Sequence, residues 1–499
     1  MLAATVVAAA LRFYRLGAQS LWIDEVLTWY SANVGSAFGV RDLTGNVHGP
    51  LYALLVHAVA SLRGSDEWTL RLPSALCGVA TVPAMAWVAA RWLGRREAEW
   101  AAWLAAVSPF LVWYSQEARP YAMLILFTCV SGALMLELSR AARARTAFAW
   151  TTASIVGLLA NPSFAFVLPL HLRWWLADSG ARARRMRFAA IAGVALAALA
   201  LPWAPQALRT WDWQRLHPGR ERAASEERLR GAATFHAAAL PFAIHSFAVG
   251  YTLGPSLREL IADSSACTLA RHALEIAATA LVFAGLGFAG LAALRRRRRL
   301  GDAALWLAAP AAVVSWFALS NFKAFRPRYL AASYPAFLLL IAAALVDLKP
   351  RARWIMAGAV AVLWAASLSH HYFDPRYGKD DHRGAAALVA ARAVAGEKVL
   401  AVNSIDPMIY YYRGPLPLVP FWLGFASDPP RLDPRLDQAM SGASGVWVVL
   451  SRPEDLDPAG RFARRMDSRY PGAERFAFEG VRVWHVKFDV APGTAAAGN

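Results

Sequence analysis

Long apolar stretches separated by short arginine-rich segments run through the first three quarters of this chain. The apolar residues come in blocks and do not alternate with polar ones: 303–320, 329–346 and 354–369 carry almost no charge. Each block approaches the roughly 20 residues that cross a bilayer. Because backbone polar groups find no water in hydrocarbon, such blocks must be helices. The pattern therefore predicts a mainly α, polytopic transmembrane bundle.

Clusters of cations mark the loops between these blocks and orient the predicted bundle. Lys and Arg concentrate on the cytoplasmic side of membrane proteins, and five loops carry such clusters here: 91–96, 140–145, 182–187, 295–299 and 349–353. Placing all five inside predicts about eleven spans, at 1–11, 70–92, 97–115, 119–138, 147–160, 162–176, 187–203, 271–294, 303–320, 328–347 and 352–370. Residues 1–11 reach across only about half of a ~30 Å core. We therefore expect a start upstream of Met1, or a truncated helix.

The same orientation places three parts of the chain outside the membrane. They are a first external loop at 12–69, a second large loop at 204–270 and everything after residue 370. Residues 50–63 are apolar enough to insert, but the orientation predicts that they lie along the surface as a juxtamembrane helix. The β-branched runs 399–402 and 446–450 and the helical patterns at 385–395 and 459–465 predict a small external α/β domain. The predicted division is 1–370, the transmembrane domain, and 371–499, the α/β domain.

Composition agrees with this assignment and excludes other classes of protein. Hydrophobic residues make up 57% of the chain and charged residues 17%, against about 45–50% and about 25% in soluble domains. The net charge of +18 follows from the loop arginines, so we predict no nucleic-acid partner. Three widely spaced cysteines predict neither a disulfide framework nor a metal site. The first apolar block lacks the basic start and cleavage site of a signal peptide.

Two polar motifs in the first external loop carry candidate chemistry. Asp24 and Glu25 are adjacent carboxylates that follow the first crossing directly. A carboxylate at the membrane surface can act as general base toward a hydroxyl or hold a metal; the alternative is a pair of solvated loop charges. His48 opens the surface segment and can orient a substrate, bind a metal or shuttle a proton, or simply be exposed.

Two further motifs combine charged and aromatic residues on the outer side. Residues 113–121 read WYSQEARPY, a hairpin between two predicted spans, in which Arg119 can bind a phosphate with two hydrogen bonds. Residues 321–329 read NFKAFRPRY and place three cations outside, against the positive-inside pattern. An anionic phosphate at the outer leaflet is one reason for that exception, and interfacial snorkelling is the other. Residues 251–257 resemble a cap and turn before a surface helix.

In this order, the motifs resemble those of the bacterial polytopic GT-C glycosyltransferases. This group includes protein O-mannosyltransferases, aminoarabinose transferases and lipopolysaccharide sugar transferases. The matching stretches are LWIDEVLTWY, HGPLYALLVH, SPFLVWYSQEARPYAM and RPRYLAASYP, and the likeness covers residues 10–345. The usual His-Pro-Pro-Leu-Tyr reads His-Gly-Pro-Leu-Tyr from His48 onward.

The resemblance implies a fold, an activity and a set of site residues. It implies transfer of a sugar from a polyprenyl-phosphate donor to a lipid, glycan or protein acceptor, at the external face of a bacterial inner (plasma) membrane. We expect inversion, because acid and cations on separate external loops can lie on opposite sides of the sugar, where one displacement inverts the anomeric centre. Asp24 is then the catalytic carboxylate, with Glu25 beside it. The implied substrate-binding residues are His48, Tyr52, Glu117, Arg119, Tyr121, Lys323, Arg326, Arg328 and Tyr329. No cofactor is certain, but a divalent metal at Asp24 and His48 remains open.

Two readings from other functional classes remain as alternatives. A transporter or lipid flippase would carry ionisable residues at mid-membrane or broken helices in two related halves. One break, at Asn161-Pro162, is present in the sequence without a partner half. A non-catalytic membrane scaffold that presents the external domain leaves the polar motifs on several external loops unexplained.

Overall fold

The computed structural model describes residues 1–33, 50–177, 193, 235–263, 265–320, 325–423, 429–457 and 460–488. These residues form two compact units. The first contains residues 1–17, 28–254 and 272–373, and the second contains 18–27, 255–271 and 374–499. The second unit thus includes two short segments that lie far upstream of residue 371, where the sequence places the start of the external domain.

Helices make up the first unit. In chain order the helical segments are Leu2–Phe13, Thr28 to Asn33 of the helix Ile23–Asn33, Pro50–Arg63, Glu67–Trp92, Arg95–Val107, Pro109–Ser115, Tyr121–Arg140, Ala144–Ala160, the 3-10 turn Pro162–Val167, Leu168–Leu176, Ala239–Val249, Ala273–Arg296, Leu300–Leu319, Pro327–Asp347 and Pro350–Phe373. Among the residues that the structure describes, six helices are long and apolar enough to cross a membrane: Glu67–Trp92, Tyr121–Arg140, Ala273–Arg296, Leu300–Leu319, Pro327–Asp347 and Pro350–Phe373. The prediction of a multi-span helical protein is confirmed.

The count of eleven spans stays a prediction. The predicted crossing at 187–203 lies outside the described residues. The predicted crossing at 97–115 is two helices, because Pro109 begins a new one and the Ser108 hydroxyl accepts from the backbone of Leu111 at 3.2 Å. Residues 162–176 form a 3-10 turn and a nine-residue helix. The predicted surface segment is the fourteen-residue helix Pro50–Arg63.

Aromatic residues fill the core of the first unit where helix Pro109–Ser115 meets helices Ala239–Val249 and Pro327–Asp347. The rings of Phe110 and Tyr334 stack with centroids 4.3 Å apart, and Phe247 lies edge-on to Tyr334 at 5.1 Å. The hydroxyls of Tyr334 and Ser108 lie 2.6 Å apart, so the break at Pro109 is held by a buried polar contact. This packing supports the helix that leads into the polar hairpin at 116–120.

A five-stranded mixed sheet forms the centre of the second unit. The strands are β1 (Glu397–Val402), β2 (Leu418–Phe421), β3 (Gly445–Ser451), β4 (Glu474–Phe478) and β5 (Val481–Lys487), in the order β2-β1-β3-β5-β4. Strands β1, β2 and β3 are parallel, and β5 runs antiparallel to both β3 and β4. In register, Val402 pairs with Leu450 and Phe421. The predicted small α/β sheet is confirmed.

Helices cover both faces of this sheet. Helices His382–Arg392 and Ile405–Tyr411 pack on one face, and Pro429–Met440 and Arg461–Arg469 on the other. The remaining helical pieces are Leu257–Ala262, Ala266–Arg271, Pro375–Tyr377 and Pro453–Leu456. The predicted runs at 399–402 and 446–450 fall inside β1 and β3, whose side chains are nearly all buried. Sequence patterning missed β2, β4 and β5.

Candidate active site

The acidic pair lies at the start of the helix Ile23–Asn33, in the second unit. The backbone N–H groups of Glu25 and Val26 donate to Trp22 O at 2.9 and 3.1 Å. The Glu25 carboxylate in turn accepts from the Trp22 backbone N–H at 3.3 Å. Carboxylates near the exposed N–H groups of a first turn are favourable because the helix dipole is positive there. The two carboxylates of the predicted site therefore also stabilise the start of this helix.

The two carboxylates have different surroundings. Glu25 is fully buried, and its Oε2 lies 2.9 Å from Nζ of Lys379, whose side chain is also buried. Asp24 is half-buried, and successive residues of an α-helix project about 100° apart. Glu25 is therefore committed to a buried ion pair, whereas Asp24 lies on a different side of the helix. The two neighbouring carboxylates therefore lie in different environments.

In the first unit, Tyr52 supports the backbone that carries Arg119. The Tyr52 hydroxyl lies 2.6 Å from the Ser74 hydroxyl, and Ser74 donates to the carbonyl of Arg119 at 2.9 Å. Tyr52 and Ser74 are buried, so this relay is shielded from solvent. The Arg119 guanidinium donates to the Thr28 hydroxyl at 3.2 Å. Three segments that are distant in sequence thus meet at Arg119.

The hairpin at 116–120 is a buried polar turn. Glu117 is 2% exposed and accepts from the indole N–H of Trp113 at 3.1 Å. The backbone N–H of Arg119 donates to Glu117 O at 2.7 Å, which closes the turn. A solvated loop would expose these side chains. Their burial places the predicted pair Glu117 and Arg119 inside the protein.

Gln116 connects this turn to the first and last helices of the unit, which sequence reasoning did not anticipate. Its amide N–H group donates to the carbonyls of Arg12 at 3.1 Å and Tyr14 at 2.8 Å, at the end of the first helix. Its amide oxygen lies 2.9 Å from Nε2 of His371. Gln116 therefore satisfies carbonyls that the helix end leaves open. The residue stood inside the quoted YSQEAR motif, but only tertiary contacts reveal its partners.

Three tyrosines, Tyr114, Tyr121 and Tyr251, form a cluster that connects the 113–121 motif with Arg328 of the 321–329 motif. The rings of Tyr114 and Tyr121 lie 5.0 Å apart, and the hydroxyls of Tyr114 and Tyr251 lie 2.7 Å apart. Burial raises the pKa of Tyr251, while the hydrogen bond with Tyr114 and the positive charge of Arg328 act in the opposite direction. The charge of Arg328 therefore acts on this cluster. Tyr251 belongs to residues 251–257, which the sequence predicted to be a cap and turn. Its contact with Tyr114 was not predicted.

The other residues of the second motif follow the same turn. Arg328 lies over the ring of Tyr329, 5.7 Å from its centroid. Arg326 is half-buried and immediately precedes the 3-10 turn Pro327–Ser333, where Tyr329 donates its backbone N–H to Arg326 O at 3.0 Å. Lys323 and His48 lie outside the described residues. Among the described residues, no group of three His, Cys, Asp or Glu side chains could hold a metal ion.

The structure therefore joins part of the predicted site. Tyr52, Glu117, Arg119, Tyr121 and Arg328 belong to one unit, where contacts connect their segments. Asp24 and Glu25 belong to the other unit. Their approach to the arginines stays a prediction. Ser74, Thr28, Tyr251 and Lys379, which contact predicted residues, carry no signal in the sequence that marks them as partners.

Comparison with known proteins identifies the architecture. A family model described as dolichyl-phosphate-mannose-protein mannosyltransferase matches residues 47–205, about a third of the chain. The crystal structure of ArnT from Cupriavidus metallidurans bound to undecaprenyl phosphate has a TM-score of 0.61 and 17% identity, over 99% of each chain. The chain has the GT-C fold. The resemblance inferred from the motifs is thereby confirmed.

Two further structures share the GT-C fold with this chain. ArnT from the same organism in the apo state gives a TM-score of 0.59 at 16% identity, over 97% of each chain. The oligosaccharyltransferase AglB from Archaeoglobus fulgidus, with an inhibitory peptide and a dolichol-phosphate, gives 0.52 at 11% identity, over 98% of this chain and 74% of AglB. No curated protein sequence matches the chain. The GT-C assignment thus rests on fold and on the motifs within the matched region.

Proposed function

We propose that this protein is a membrane glycosyltransferase that takes a sugar from a polyprenyl-phosphate donor. The GT-C fold and the family match support this reading. The observation that carries it is one buried cluster of Tyr114, Tyr121 and Tyr251, in which Tyr121 follows Arg119 by two positions and the charge of Arg328 acts on Tyr251. Two guanidinium groups beside hydroxyl donors suit a phosphate. ArnT, with undecaprenyl phosphate, and AglB, with a dolichol-phosphate, bind ligands of this class.

The donor end of the proposed site consists of the cations and their aromatic neighbours. Arg119, Arg326 and Arg328, together with Lys323, would neutralise the phosphate, and Tyr121 and Tyr329 would hydrogen-bond to it. Negative charge grows on the phosphate as the bond to the sugar breaks, so cations fixed beforehand stabilise the transition state more than the ground state. Tyr52 and Ser74 hold the backbone of Arg119 in place.

The acceptor end is assigned to Asp24. Its carboxylate would remove the proton of the acceptor hydroxyl as that oxygen attacks the anomeric carbon. The bond between this carbon and the phosphate oxygen breaks, polyprenyl phosphate leaves with the electron pair, and one displacement inverts the anomeric centre. Asp24 precedes Thr28, the partner of Arg119, by one turn of the same helix.

The proposed compartment follows from the lipid donor. We place the protein in a bacterial inner membrane, with the acidic pair, the arginine motifs and residues 371–499 on the extracytoplasmic side. A lipid, glycan or protein acceptor would approach from there. Cysteine labelling at positions 24 and 119 tests the placement: the proposal requires that both react from the same side, and labelling from opposite sides refutes it.

Activity is tested with purified protein in proteoliposomes and radiolabelled polyprenyl-phosphate sugars. The wild type should transfer label to an acceptor extracted from the membrane. Asp24→Asn removes the base and should abolish transfer while donor binding persists. Arg119→Ala should raise the donor concentration at half-saturation. Wild-type turnover by Asp24→Asn would refute the assigned base.

The same proteoliposomes distinguish the alternative function, that of a lipid flippase, from sugar transfer. A lipid flippase would move the polyprenyl-phosphate sugar between leaflets without breaking its glycosidic bond. Leaflet-selective periodate oxidation of the sugar measures that movement. Flipping without release of polyprenyl phosphate would replace the transferase proposal.

A further inference from the structure

The carboxyl edge of the parallel strands is the place where open α/β sheets bind ligands. Such ligands lie beyond the strand ends at the point where the order of strand addition reverses. Here β1 is flanked by β2 on one side and β3 on the other, so the order reverses beside β1. Asn403 and Arg452, which follow β1 and β3 directly, both adopt left-handed backbone conformations with φ of +52°. Non-glycine residues in this region concentrate at functional positions.

Several loops of the second unit meet at this edge. The backbone N–H of Arg452 donates to Gly480 O at 2.9 Å, which ties the end of β3 to the turn between β4 and β5. Asp381 donates its backbone N–H to Glu479 O of that turn at 2.7 Å. Residues 378–383 therefore lie at the carboxyl edge, just before helix His382–Arg392 returns toward the start of β1.

The chain itself occupies the edge. Ser20 donates to the Asp381 carboxylate at 3.0 Å, and the backbone N–H of Lys379 donates to the Gln19 amide oxygen at 3.2 Å. The backbone N–H of Leu21 donates to the Tyr411 hydroxyl at 2.6 Å. Residues 18–25 thus lie at the edge where open α/β sheets generally bind ligands. They are the residues that lead into the Asp24 helix.

A second segment reinforces this attachment. Arg258, on helix Leu257–Ala262, donates to Asp380 at 3.0 Å and to Gly378 O at 2.9 Å, and it also forms an ion pair with Glu479. These contacts attach residues 378–380 to a further segment of the second unit. Lys379 therefore lies in a backbone segment that is held both by Gln19 and by Arg258.

The ion pair between Lys379 and Glu25 is the most buried link in this arrangement. Glu25 is 0% exposed and Lys379 9%. Removing one partner of such a pair leaves an uncompensated buried charge, so the pair strongly disfavours other placements of the helix start. Because Glu25 also accepts from the Trp22 backbone, the bond fixes the first turn of the helix, where Asp24 lies.

We propose that Lys379 is a positioning residue for Asp24, and that the α/β domain serves to hold the catalytic segment at its carboxyl edge. The inference rests on the proposed function of Asp24. Lys379 acts through Glu25 and does not touch the sugar or the phosphate. Misplacing a reacting group by about 1 Å can cost on the order of 100-fold in rate. Loss of the lysine should therefore lower turnover while leaving donor binding intact.

The test compares four variants of the full chain in proteoliposomes. Lys379→Ala removes the side chain beyond Cβ, Lys379→Gln removes the charge but keeps an N–H donor on a slightly shorter side chain, and Lys379→Arg keeps the charge. Arg376→Ala is the matched control, because this nearby cation is exposed and pairs with Asp374 two residues away. Turnover and donor half-saturation are measured together with amide hydrogen exchange of residues 18–27. Unchanged exchange in β1 and β3 establishes that each variant is folded.

The expected result is a 10- to 100-fold fall in turnover for Lys379→Ala, with donor half-saturation within twofold of wild type. Amide exchange at 18–27 should rise, Lys379→Arg should recover most of the turnover, and Arg376→Ala should match wild type. Unchanged turnover overturns the proposal. A raised donor half-saturation at normal turnover also overturns it, because Lys379 would then contact the donor.

A coupling measurement separates positioning by the pair from direct catalysis by Glu25. If the two residues act through one bond, Glu25→Gln and Lys379→Ala should lower turnover similarly, and the double variant should be no worse than either. Multiplying effects would instead assign Glu25 a separate role and contradict the inference. If the wild type transfers no sugar, the proposed function fails. Amide exchange in Lys379→Ala then decides by itself whether Lys379 holds residues 18–27.

Discussion

At the residue scale, burial separates side chains that look equivalent in sequence. Arg12 opens a predicted external loop, yet it is fully buried and donates to the carbonyls of Ala105 and Ala106 at 2.9 and 2.8 Å. It also donates to the Ser115 hydroxyl at 3.1 Å. A cation at these carbonyls is favourable because the end of helix Arg95–Val107 is the negative end of its dipole. Arg12 is therefore a structural cation, unlike the arginines of the predicted phosphate site.

Glu397 makes the stability of the α/β domain sensitive to acid. Burial alone would raise the pKa of the Glu397 carboxyl. Hydrogen bonds from His485 at 2.7 Å and from Trp447 at 2.9 Å, together with the charge of His485, act in the opposite direction, and the pKa is lowered overall. Glu474 also faces His485, at 3.8 Å. A carboxyl whose pKa is depressed in the folded state stabilises the fold above its unfolded pKa, about 4.3, and this stabilisation is lost as pH falls further.

Glu397→Gln should therefore destabilise the domain at pH 7, and the difference from wild type should shrink below about pH 4. Peptide-resolved amide exchange of β1 and β5 between pH 7 and pH 3.5, corrected for intrinsic exchange rates, measures it. Glu99→Gln, at an exposed position, is the control and should behave as wild type throughout. A difference that grows with acid would contradict the assignment.

At the element scale, helix contacts in the first unit depend on small residues. Gly290 lies in helix Ala273–Arg296, where it packs against Leu340 of helix Pro327–Asp347; an added Cβ would overlap the Leu340 carbonyl oxygen. Close backbone approach through small residues is a common way for membrane helices to associate, because lipid provides no hydrophobic drive. On the same helix, Gly287 has nothing within 4 Å of where a Cβ would be.

Gly290→Ala should lower the stability of the detergent-solubilised protein by about 1–3 kcal/mol, because the helices must separate to admit the methyl group. Gly287→Ala, one turn earlier, should be neutral or slightly stabilising, since alanine favours helix by about 1 kcal/mol over glycine. Thermal unfolding of both variants measures the contrast. Equal melting temperatures would show that the packing at Gly290 adapts without cost.

At the scale of the whole molecule, the chain enters the second unit three times, at 18–27, 255–271 and 374–499. The α/β domain is therefore not a simple C-terminal appendage. Its carboxyl edge holds segments whose ends continue into apolar helices. The division at residue 371 remains a prediction for the start of the main part of the domain, and the two upstream segments are an addition to it.

Cutting the chain between Phe373 and Asp374 should leave the C-terminal fragment bound to the rest of the protein. Contacts of Lys379 with Glu25 and of Arg258 with Asp380 remain after cleavage. A protease site inserted at this junction and co-purification in detergent test the expectation. Lys379→Ala with Arg258→Ala should release more of the fragment than the cut alone. Complete release of the unmutated fragment would show that these contacts do not hold the domain.

The sequence alone determined the class of the protein and most of its helices. Blocks of apolar residues must become helices in lipid whatever their neighbours are, so Glu67–Trp92 and Pro350–Phe373 could be predicted from composition and length. The polar and aromatic residues around Asp24 and Arg119 exceed what a turn requires and so predicted a functional site, and the resemblance of these motifs to those of GT-C enzymes predicted its kind.

The tertiary structure alone decided the partners of those residues. Lys379 is 354 positions from Glu25, and Tyr251 is 137 positions from Tyr114. No local pattern encodes such pairs, because burial and charge pairing depend on which surfaces meet after folding. The strand β2, too short and too mixed in burial to show a period, is defined by its pairing with β1. The chemistry of each segment determines which polar groups need a partner and which apolar surfaces must be buried. The packing of the folded chain determines which residues provide that partner or cover that surface.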